Sequence, residues 1–299
     1  MLQFTAKMPG ILLVSPQPLA GKTTIAAGLA QRLSAEGKRV ALRRVPGDER
    51  ADSDAALFSA LKDVSQDQSS TEITLIEAPA GEPAPWLTQF PDARALVIAD
   101  ASAPVDALRD YCSQIADRLA GAVINKTPTR RAEGFLDEAK AGGIKVLAVV
   151  PEDRLLATPV LRDVVQVLSA QTEHFDGRAL EPLDRPVIAT ISADPGQSYF
   201  ARYDASAVIV RSDKPDLQLA ALNAGAGCLI VTGGLPILSY VLERAEEDEI
   251  PLLRTSLDTI AAVERVEAIF GSSPFAGGKA KVERIGELLS DLDLTALFG

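Results

Sequence analysis

The stretch SPQPLAGKTT (15–24) decides how the first half of the chain is interpreted. It follows the apolar run ILLV (11–14) and precedes IAAGLAQRL (25–33), whose apolar residues recur at helical spacing. A loop that leaves a buried strand, opens a helix and ends in Gly-Lys-Thr is typical of a phosphate-binding loop. Its backbone N–H groups face phosphate oxygens, and its lysine reaches the terminal phosphates. We therefore predict a phosphate site formed by Ala20, Gly21, Lys22, Thr23 and Thr24.

The first part of this loop departs from the usual pattern. Against G-x-x-x-x-G-K-[ST], the first glycine falls on Pro16. Pro16 and Pro18 each lack a backbone N–H donor, so the amide cradle around a phosphate is smaller. The loop is thus predicted to bind phosphate, whereas hydrolysis of a nucleotide does not follow from it.

Apolar runs alternate with helical stretches through the first 170 residues. Strands buried on both faces of a parallel sheet are nearly continuous in apolar residues, and this pattern predicts a doubly wound α/β sheet. Periodicity is lost in QTEHFDGRALEPLDRP (171–186), and a shorter alternation follows it. We predict a first domain over 1–172 and a second, smaller α/β domain over 185–299. The predicted strands of the first domain are ILLVS (11–15), RVALR (39–43), ITLIE (73–77), ALVIAD (95–100), GAVIN (121–125) and KVLAVV (145–150).

Polar residues follow several of these strands. Asp54 comes shortly after the second strand, Glu77 ends the third and Asn125 ends the fifth. Carboxyl ends of strands in a wound sheet meet at one crevice, where carboxylates can hold Mg²⁺ directly or through water and an amide can face a base edge. Taken singly, Asp54 is also explained as a helix cap and Asn125 as a turn residue. Together with Lys22 they favour a site.

Composition narrows the possible partners. The net charge is -11 and the isoelectric point is near 4.7, which argues against non-specific binding to nucleic acid or to an anionic membrane. The two cysteines, Cys112 and Cys228, are far apart and fit a reducing compartment. No apolar run approaches the roughly 20 residues of a membrane helix, and no signal peptide is recognised. We expect a cytoplasmic protein.

The order of several motifs resembles dethiobiotin synthetase and its relatives. It resembles still more closely the synthetase-like N-terminal region of long bacterial phosphate acetyltransferases. The resemblance implies Thr23, Asp54 and Glu77 as Mg²⁺ ligands, and ATP or another nucleoside phosphate as the ligand. It also implies that Asn125 and the segment with Pro151, Glu152 and Asp153 frame the adenine. The motifs are GKTT (21–24), RRVPGD (43–48), SDAALF (53–58), IEAPAG (76–81), VINK (123–126) and VVPEDRLLATP (149–159).

The second half resembles the DRTGG domain that follows the same region in phosphate acetyltransferases. Of the sequence DRTGG, after which the domain is named, this chain has only TGG (232–234). The resemblance does not extend to the catalytic domain of phosphate acetyltransferases. Two interpretations of TGG stay open: an anion contact through free N–H groups, or a tight turn that needs positive φ. The matching segments are 211–234, 250–269 and 279–297.

One departure from the synthetases bears on activity. Where they have a substrate-handling lysine, this chain has Arg43 or Arg44. An arginine stays protonated and cannot act as a neutral amine. We therefore favour a nucleotide-binding regulatory or scaffolding module, which could self-associate or serve an acetyl-phosphate-metabolising enzyme. The alternatives are an ATP-dependent ligase of the dethiobiotin type, with Lys22 catalytic, and a partner protein with a vestigial loop.

Overall fold

The computed structural model describes residues 10–62, 64, 71–189, 200, 202 and 207–298. Within these residues the chain forms two compact units. The first comprises residues up to Asp153 together with those from Lys279 onward, and the second runs from Arg154 to Gly278.

A six-stranded sheet in the order β2-β3-β1-β4-β5-β6 forms the centre of the first unit, and every pairing in it is parallel. The apolar runs of the sequence predicted all six strands to within about two residues. The carboxyl ends of the strands lie at one edge of the sheet, as in other wound α/β sheets. The strands are β1 Gly10–Val14, β2 Val40–Arg44, β3 Ile73–Glu77, β4 Arg94–Asp100, β5 Leu119–Thr127 and β6 Val146–Pro151.

A five-stranded sheet in the order β7-β11-β10-β9-β8 forms the second unit. Its strands are parallel except β7, which runs antiparallel to β11. The edge strand β7 lies in the segment where sequence periodicity is lost, and it was not among the predicted strands. The strands are β7 Gln171–Glu173, β8 Pro186–Ile188, β9 Ala207–Arg211, β10 Leu229–Thr232 and β11 Leu252–Arg254.

Helices connect the strands in both units. In the first unit, α1 begins at Lys22 directly after the glycine of the loop, as the sequence predicted. The helices are α1 Lys22–Ala35, α2 Ala51–Ala60, α3 Ala84–Gln89, α4 Val105–Ser113, α5 Ala132–Ala141, α6 Arg154–Ala157, α7 Leu161–Leu168, α8 Pro215–Asn223, α9 Ser239–Glu247, α10 Thr259–Ala268 and α11 Lys279–Leu288.

The central strands of both sheets are buried on two faces. In β1, Leu12 and Val14 belong to an apolar cluster that includes α4, while Ile11 and Leu13 face away from it and are equally inaccessible to solvent. In the second unit, one cluster joins alternate residues of β9–β11 to α8 and α9, and another joins the remaining residues to α7 and α10. The predicted fold class, a doubly wound parallel α/β domain followed by a smaller α/β domain, is confirmed.

The C-terminal segment belongs to the first unit, although the predicted second domain, 185–299, includes it. Helix α11 packs along α1, and the Arg32 guanidinium donates to the carbonyl of Leu292 at 2.8 Å. Close approach of the two helices requires Gly28, because a Cβ there would lie 2.8 Å from Ile285 Cγ1. The compact units therefore differ from the predicted ranges 1–172 and 185–299, and those ranges as domain boundaries stay a prediction.

None of the helices in the described part of the chain combines the length and the apolar composition required to cross a membrane.

Candidate functional site

The loop between β1 and α1 turns sharply at its last residue before the helix. Gly21 has φ 93°, a left-handed conformation that favours glycine, and it caps α1 without any side-chain hydrogen bond. A Cβ at Gly21 would also collide with the Nδ2 atom of Asn125. The first-turn N–H groups of α1, those of Lys22, Thr23 and Thr24, precede the first intrahelical bond from Ile25 to Gly21 and point out of the helix end. This geometry suits an anion.

Lys22 is buried inside the loop. Only 7% of the residue is exposed, and its Nζ donates to Ser15 Oγ at 2.7 Å. The Ser15 hydroxyl in turn donates to the carbonyl of Gln17 at 2.8 Å, so the loop closes around the ammonium group. Burial lowers the pKa of Lys22, and the nearby carboxylate of Glu77 opposes that shift. The ammonium is thus held within the loop and not in bulk solvent.

Thr23 contacts the end of the neighbouring strand. Its Oγ1 donates to Glu77 Oε1 at 3.0 Å. Glu77 ends β3 and is 3% exposed, and its burial raises the pKa of the carboxyl group to about 7, against the opposing charges of Arg44 and Lys22. The second oxygen, Oε2, is buried and has no hydrogen-bond partner among the described residues. An orphaned buried acceptor at a binding crevice is a candidate contact for a ligand or a cation.

Arg44, the last residue of β2, lies at the centre of an ion cluster. Its side chain is 2% exposed, and its Nε lies 3.4 Å from Asp54 Oδ2 and 3.7 Å from Glu77 Oε1. Its NH2 group also pairs with Asp48. Of the two arginines that the sequence left open, Arg43 is exposed, so Arg44 holds the position beside the loop. Burial raises the pKa of Asp54, while the hydrogen bond and charge of Arg44 oppose the shift.

The predicted Mg²⁺ ligands are only partly brought together. Thr23 and Glu77 are joined by a hydrogen bond, whereas Asp54 and Glu77 each face the guanidinium of Arg44. Within the residues that the structure describes, no group of three or more His, Cys, Asp or Glu side chains could hold a metal ion. The guanidinium of Arg44 faces both predicted carboxylates, and the assignment of Thr23, Asp54 and Glu77 as Mg²⁺ ligands stays a prediction.

The end of β5 holds the loop from the other side. Asn125 Nδ2 donates to the carbonyl of Ala20 at 2.9 Å, and Lys126 Nζ donates to that of Leu19 at 2.9 Å. The amide nitrogen predicted to face a base edge is thus bonded to the loop, and the base contact of Asn125 stays a prediction. Lys126 was not among the predicted site residues, although its place directly after Asn125 in VINK was a signal.

The segment predicted to frame the adenine lies one strand further out. Pro151 ends β6 beside Thr127, and the N–H of Glu152 donates to the carbonyl of Thr127 at 3.0 Å. Asp153 instead accepts a hydrogen bond from Arg284 Nε of α11 at 2.7 Å. Pro151 and Glu152 therefore share the carboxyl edge with Asn125, while Asp153 is joined to the C-terminal helix.

The TGG loop of the second unit is a tight turn. Gly233 has φ 90° and Gly234 has φ 75°. Their N–H groups donate to the carbonyls of Leu257 at 2.7 Å and of Thr255 at 3.0 Å. The sequence left two interpretations open, a tight turn and an anion contact. Because both donors have protein acceptors, the structure favours the turn.

Comparison with known proteins supports both halves of this architecture. The DRTGG domain family matches residues 163–269. Among solved structures, the CBS and DRTGG domains of the regulatory region of Clostridium perfringens pyrophosphatase, complexed with the activator diadenosine tetraphosphate, are similar at 19% identity and TM-score 0.35. That match covers 46% of this chain and 62% of the other.

Two further structures are each similar over about half of the chain. The MinC:MinD cell division protein complex of Aquifex aeolicus matches at 17% identity and TM-score 0.39, covering 50% of this chain and 83% of the other. The signal recognition particle receptor FtsY of Elizabethkingia anophelis matches at 16% identity and TM-score 0.38, covering 50% and 60%. The CobQ/CobB/MinD/ParA nucleotide binding domain matches residues 11–167, more than half of the 299 residues, and the chain belongs to that family.

Proposed function

We propose that this chain is a nucleotide-binding regulatory protein that takes ATP, or another nucleoside phosphate, at the loop before α1. The observation that carries the proposal is the buried ammonium of Lys22, held by Ser15 at 2.7 Å beneath a helix end. A buried cation next to open first-turn N–H groups is the arrangement that binds phosphate oxygens. Membership of a nucleotide-binding family supports the same ligand.

Three sets of contacts hold the loop in the conformation of a binding site. Gly21 provides the left-handed turn, Asn125 and Lys126 fix two successive loop carbonyls, and Glu77 joins Thr23 to the third strand. A loop held in this way loses little conformational freedom when a ligand binds, which favours affinity. In this arrangement Lys22 provides the charge that offsets the phosphates.

A regulatory function fits the arrangement better than a ligase does. In the ligase alternative, the residue at the end of β2 handles a substrate. Here the side chain of Arg44 is buried and paired with Asp48 and Asp54, and a guanidinium cannot serve as a neutral amine. Pro16 and Pro18 also reduce the number of amide donors that a transferring phosphate would need.

The finer part of the proposal concerns partners, and it depends on the sequence resemblance to the N-terminal region of phosphate acetyltransferases. We propose that the second unit senses or assembles, either with a second copy of the chain or with an acetyl-phosphate-metabolising enzyme. Several large apolar side chains of that unit are exposed, which supports self-association. They are Leu235, Leu238, Tyr240 and Ile260, and the last is 74% exposed.

Isothermal titration of the full chain with ATP, and separately with GTP, tests the proposal. Lys22→Ala should abolish binding, whereas Lys38→Ala, which removes the same charge from an exposed position, should not change it. Absence of binding by the native chain would leave the loop vestigial and contradict the proposal. ADP release that depends on an added carboxylate or amine substrate would favour the ligase instead.

A further inference from the structure

The cation at the centre of the candidate site belongs to the protein itself. Arg44 faces Asp54 at 3.4 Å and Glu77 at 3.7 Å, and it also pairs with Asp48. Its side chain is 2% exposed, and those of Asp54 and Glu77 are 10% and 4% exposed. One buried guanidinium is therefore already paired with the two carboxylates that a divalent cation would need.

Displacing this guanidinium is unfavourable. Its charge persists at every physiological pH, and its planar fork can serve several carboxylates at once. A cation that entered between Asp54 and Glu77 would have to expel Arg44 and leave a buried charge without its partners, which is strongly destabilising. If Arg44 stayed in place, the new cation would face a like charge at close range.

Few protein ligands remain for a divalent cation. Outside the contacts of Arg44, the described cluster offers the Oε2 atom of Glu77, the second carboxylate oxygen of Asp54 and the hydroxyl of Thr23. Mg²⁺ requires an octahedral set of oxygen ligands and loses its waters reluctantly. At nucleotide sites Mg²⁺ keeps several waters and binds one or two protein oxygens together with the phosphates, so the number of ligands does not decide its affinity. The fixed guanidinium beside these oxygens carries a like charge, so bound nucleotide should gain little from the metal.

We propose that Arg44 is the built-in cation of the nucleotide site and determines its metal requirement, so that a nucleoside triphosphate binds almost equally well with and without Mg²⁺. The inference rests on the proposed function, because it describes the same loop. Arg44 is here a specificity-determining residue that acts through the carboxylates, while Lys22 contacts the phosphates.

The test compares ATP titrations of the full chain in excess EDTA and in excess Mg²⁺. For the native chain, the two dissociation constants should differ by less than about threefold, below the roughly 5–150-fold range typical of coupled ligands. Arg44→Ala frees Asp54 and Glu77, so Mg²⁺ should tighten ATP binding to that variant by about tenfold or more. Arg43→Ala, the exposed neighbour on the same strand, should show the native ratio.

A double variant assigns the new metal response to the freed carboxylates. Glu77→Gln added to Arg44→Ala should remove the response to Mg²⁺. The comparison of the two buffers in the native chain needs no variant, so it stays valid if Arg44→Ala fails to fold. In that case Arg44→Lys replaces Arg44→Ala, because a lysine ammonium pairs with the carboxylates less well than a guanidinium does.

The outcomes separate the two proposals. ATP binding that requires Mg²⁺ in the native chain overturns the role of Arg44 and leaves nucleotide binding intact. A folded Arg44→Ala that gains no response to Mg²⁺ also overturns it. Absence of ATP binding in both buffers contradicts the proposed function, and the inference fails with it.

Discussion

The Nζ atom of Lys22 lies 2.7 Å from the Oγ atom of Ser15, and both groups are buried within one loop. In this pair the serine hydroxyl accepts the hydrogen bond that a phosphate oxygen would accept in a nucleotide complex. The loop therefore holds the Lys22 side chain in position before a ligand binds. This arrangement is unfavourable for the free energy of folding, because it keeps a charged group away from water. This relationship predicts how stability responds to ligand.

Removal of the acceptor should destabilise the unliganded protein. Ser15→Ala leaves the buried ammonium without this partner, which costs about 1–3 kcal/mol in the free energy of unfolding. Saturating ATP should reduce the deficit, because phosphate oxygens replace the hydroxyl. Unfolding of the first unit can be followed by the fluorescence of Trp86, the sole tryptophan of the chain, which lies in α3.

Ser113→Ala is the matched control, because the Ser113 hydroxyl donates to a carbonyl at 2.7 Å from an exposed position. Its effect should stay within about 0.5 kcal/mol. A deficit in Ser15→Ala that is the same with and without ATP would show that phosphate does not replace the serine.

Gly21 is expected to be much less tolerant of a side chain than a glycine of similar φ elsewhere. Gly37 has φ 80° and open space around its missing Cβ, so Gly37→Ala should cost only the left-handed conformation, about 1–2 kcal/mol. Gly21→Ala meets that cost and also displaces Asn125 from the carbonyl of Ala20, adding about 1 kcal/mol or more.

Nucleotide affinity should fall in Gly21→Ala and not in Gly37→Ala. Because the added cost at Gly21 is a collision with one amide, Asn125→Gly in the same chain should relieve part of it. Equal losses of stability in the two single variants, measured by urea unfolding, would mean that Asn125 does not contact the loop in solution.

The stability of the first unit should depend on pH through Glu77. Burial raises the pKa of this carboxyl from an ordinary value of 4.5 to about 7. Between these values the folded state holds a proton that the unfolded chain has released, so stability falls as the pH rises through this window. From about pH 5 to about pH 8, the native chain should lose about 3 kcal/mol more than Glu77→Gln.

Urea unfolding of both proteins at several pH values measures this difference. The glutamine variant is the control, since it keeps the shape of the side chain and cannot ionise. Parallel stability curves would show that the folded carboxyl titrates at its ordinary pKa and that its burial is less complete than the structure shows.

Local patterns were sufficient to predict the fold. Runs such as ITLIE (73–77) are apolar on both faces of a parallel strand, and helix α1 starts at the lysine that follows Gly21, so each is encoded in neighbouring residues. The positions of Glu77 at the end of β3 and of Asn125 near the end of β5 also follow from this reasoning, because parallel strands present their carboxyl ends at one edge.

The contacts between distant residues could not be predicted in the same way. The sequence left open whether Arg43 or Arg44 faces the site, because the choice depends on which face of β2 is turned toward α2. The hydrogen bond from Asn125 to the carbonyl of Ala20 was likewise not predicted, and the base contact of Asn125 stays a prediction. An amphipathic pattern indicates that α11 buries one of its faces. It does not indicate which other element that face packs against.

A pair of glycines on two helices tests where α11 lies. A Cβ at Gly28 of α1 would lie 2.8 Å from Ile285 Cγ1 and 2.9 Å from Leu289 Cδ1 of the C-terminal segment, whereas a Cβ at Gly134 of α5 meets nothing within 4 Å. Alanine favours a helix over glycine by about 1 kcal/mol, so Gly134→Ala should stabilise the protein slightly. Gly28→Ala should destabilise it by about 1 kcal/mol net, because overpacking costs about 1–3 kcal/mol.

The opposite signs make this comparison decisive, since helix propensity alone predicts a gain at both positions. Chemical unfolding of the first unit, again followed through Trp86, measures both variants under the same conditions. A gain at Gly28 would mean that α11 does not pack on α1. The segment 279–297 would then be available to the second domain, where the sequence resemblance places it, and the phosphate-loop helix would have one face open to solvent.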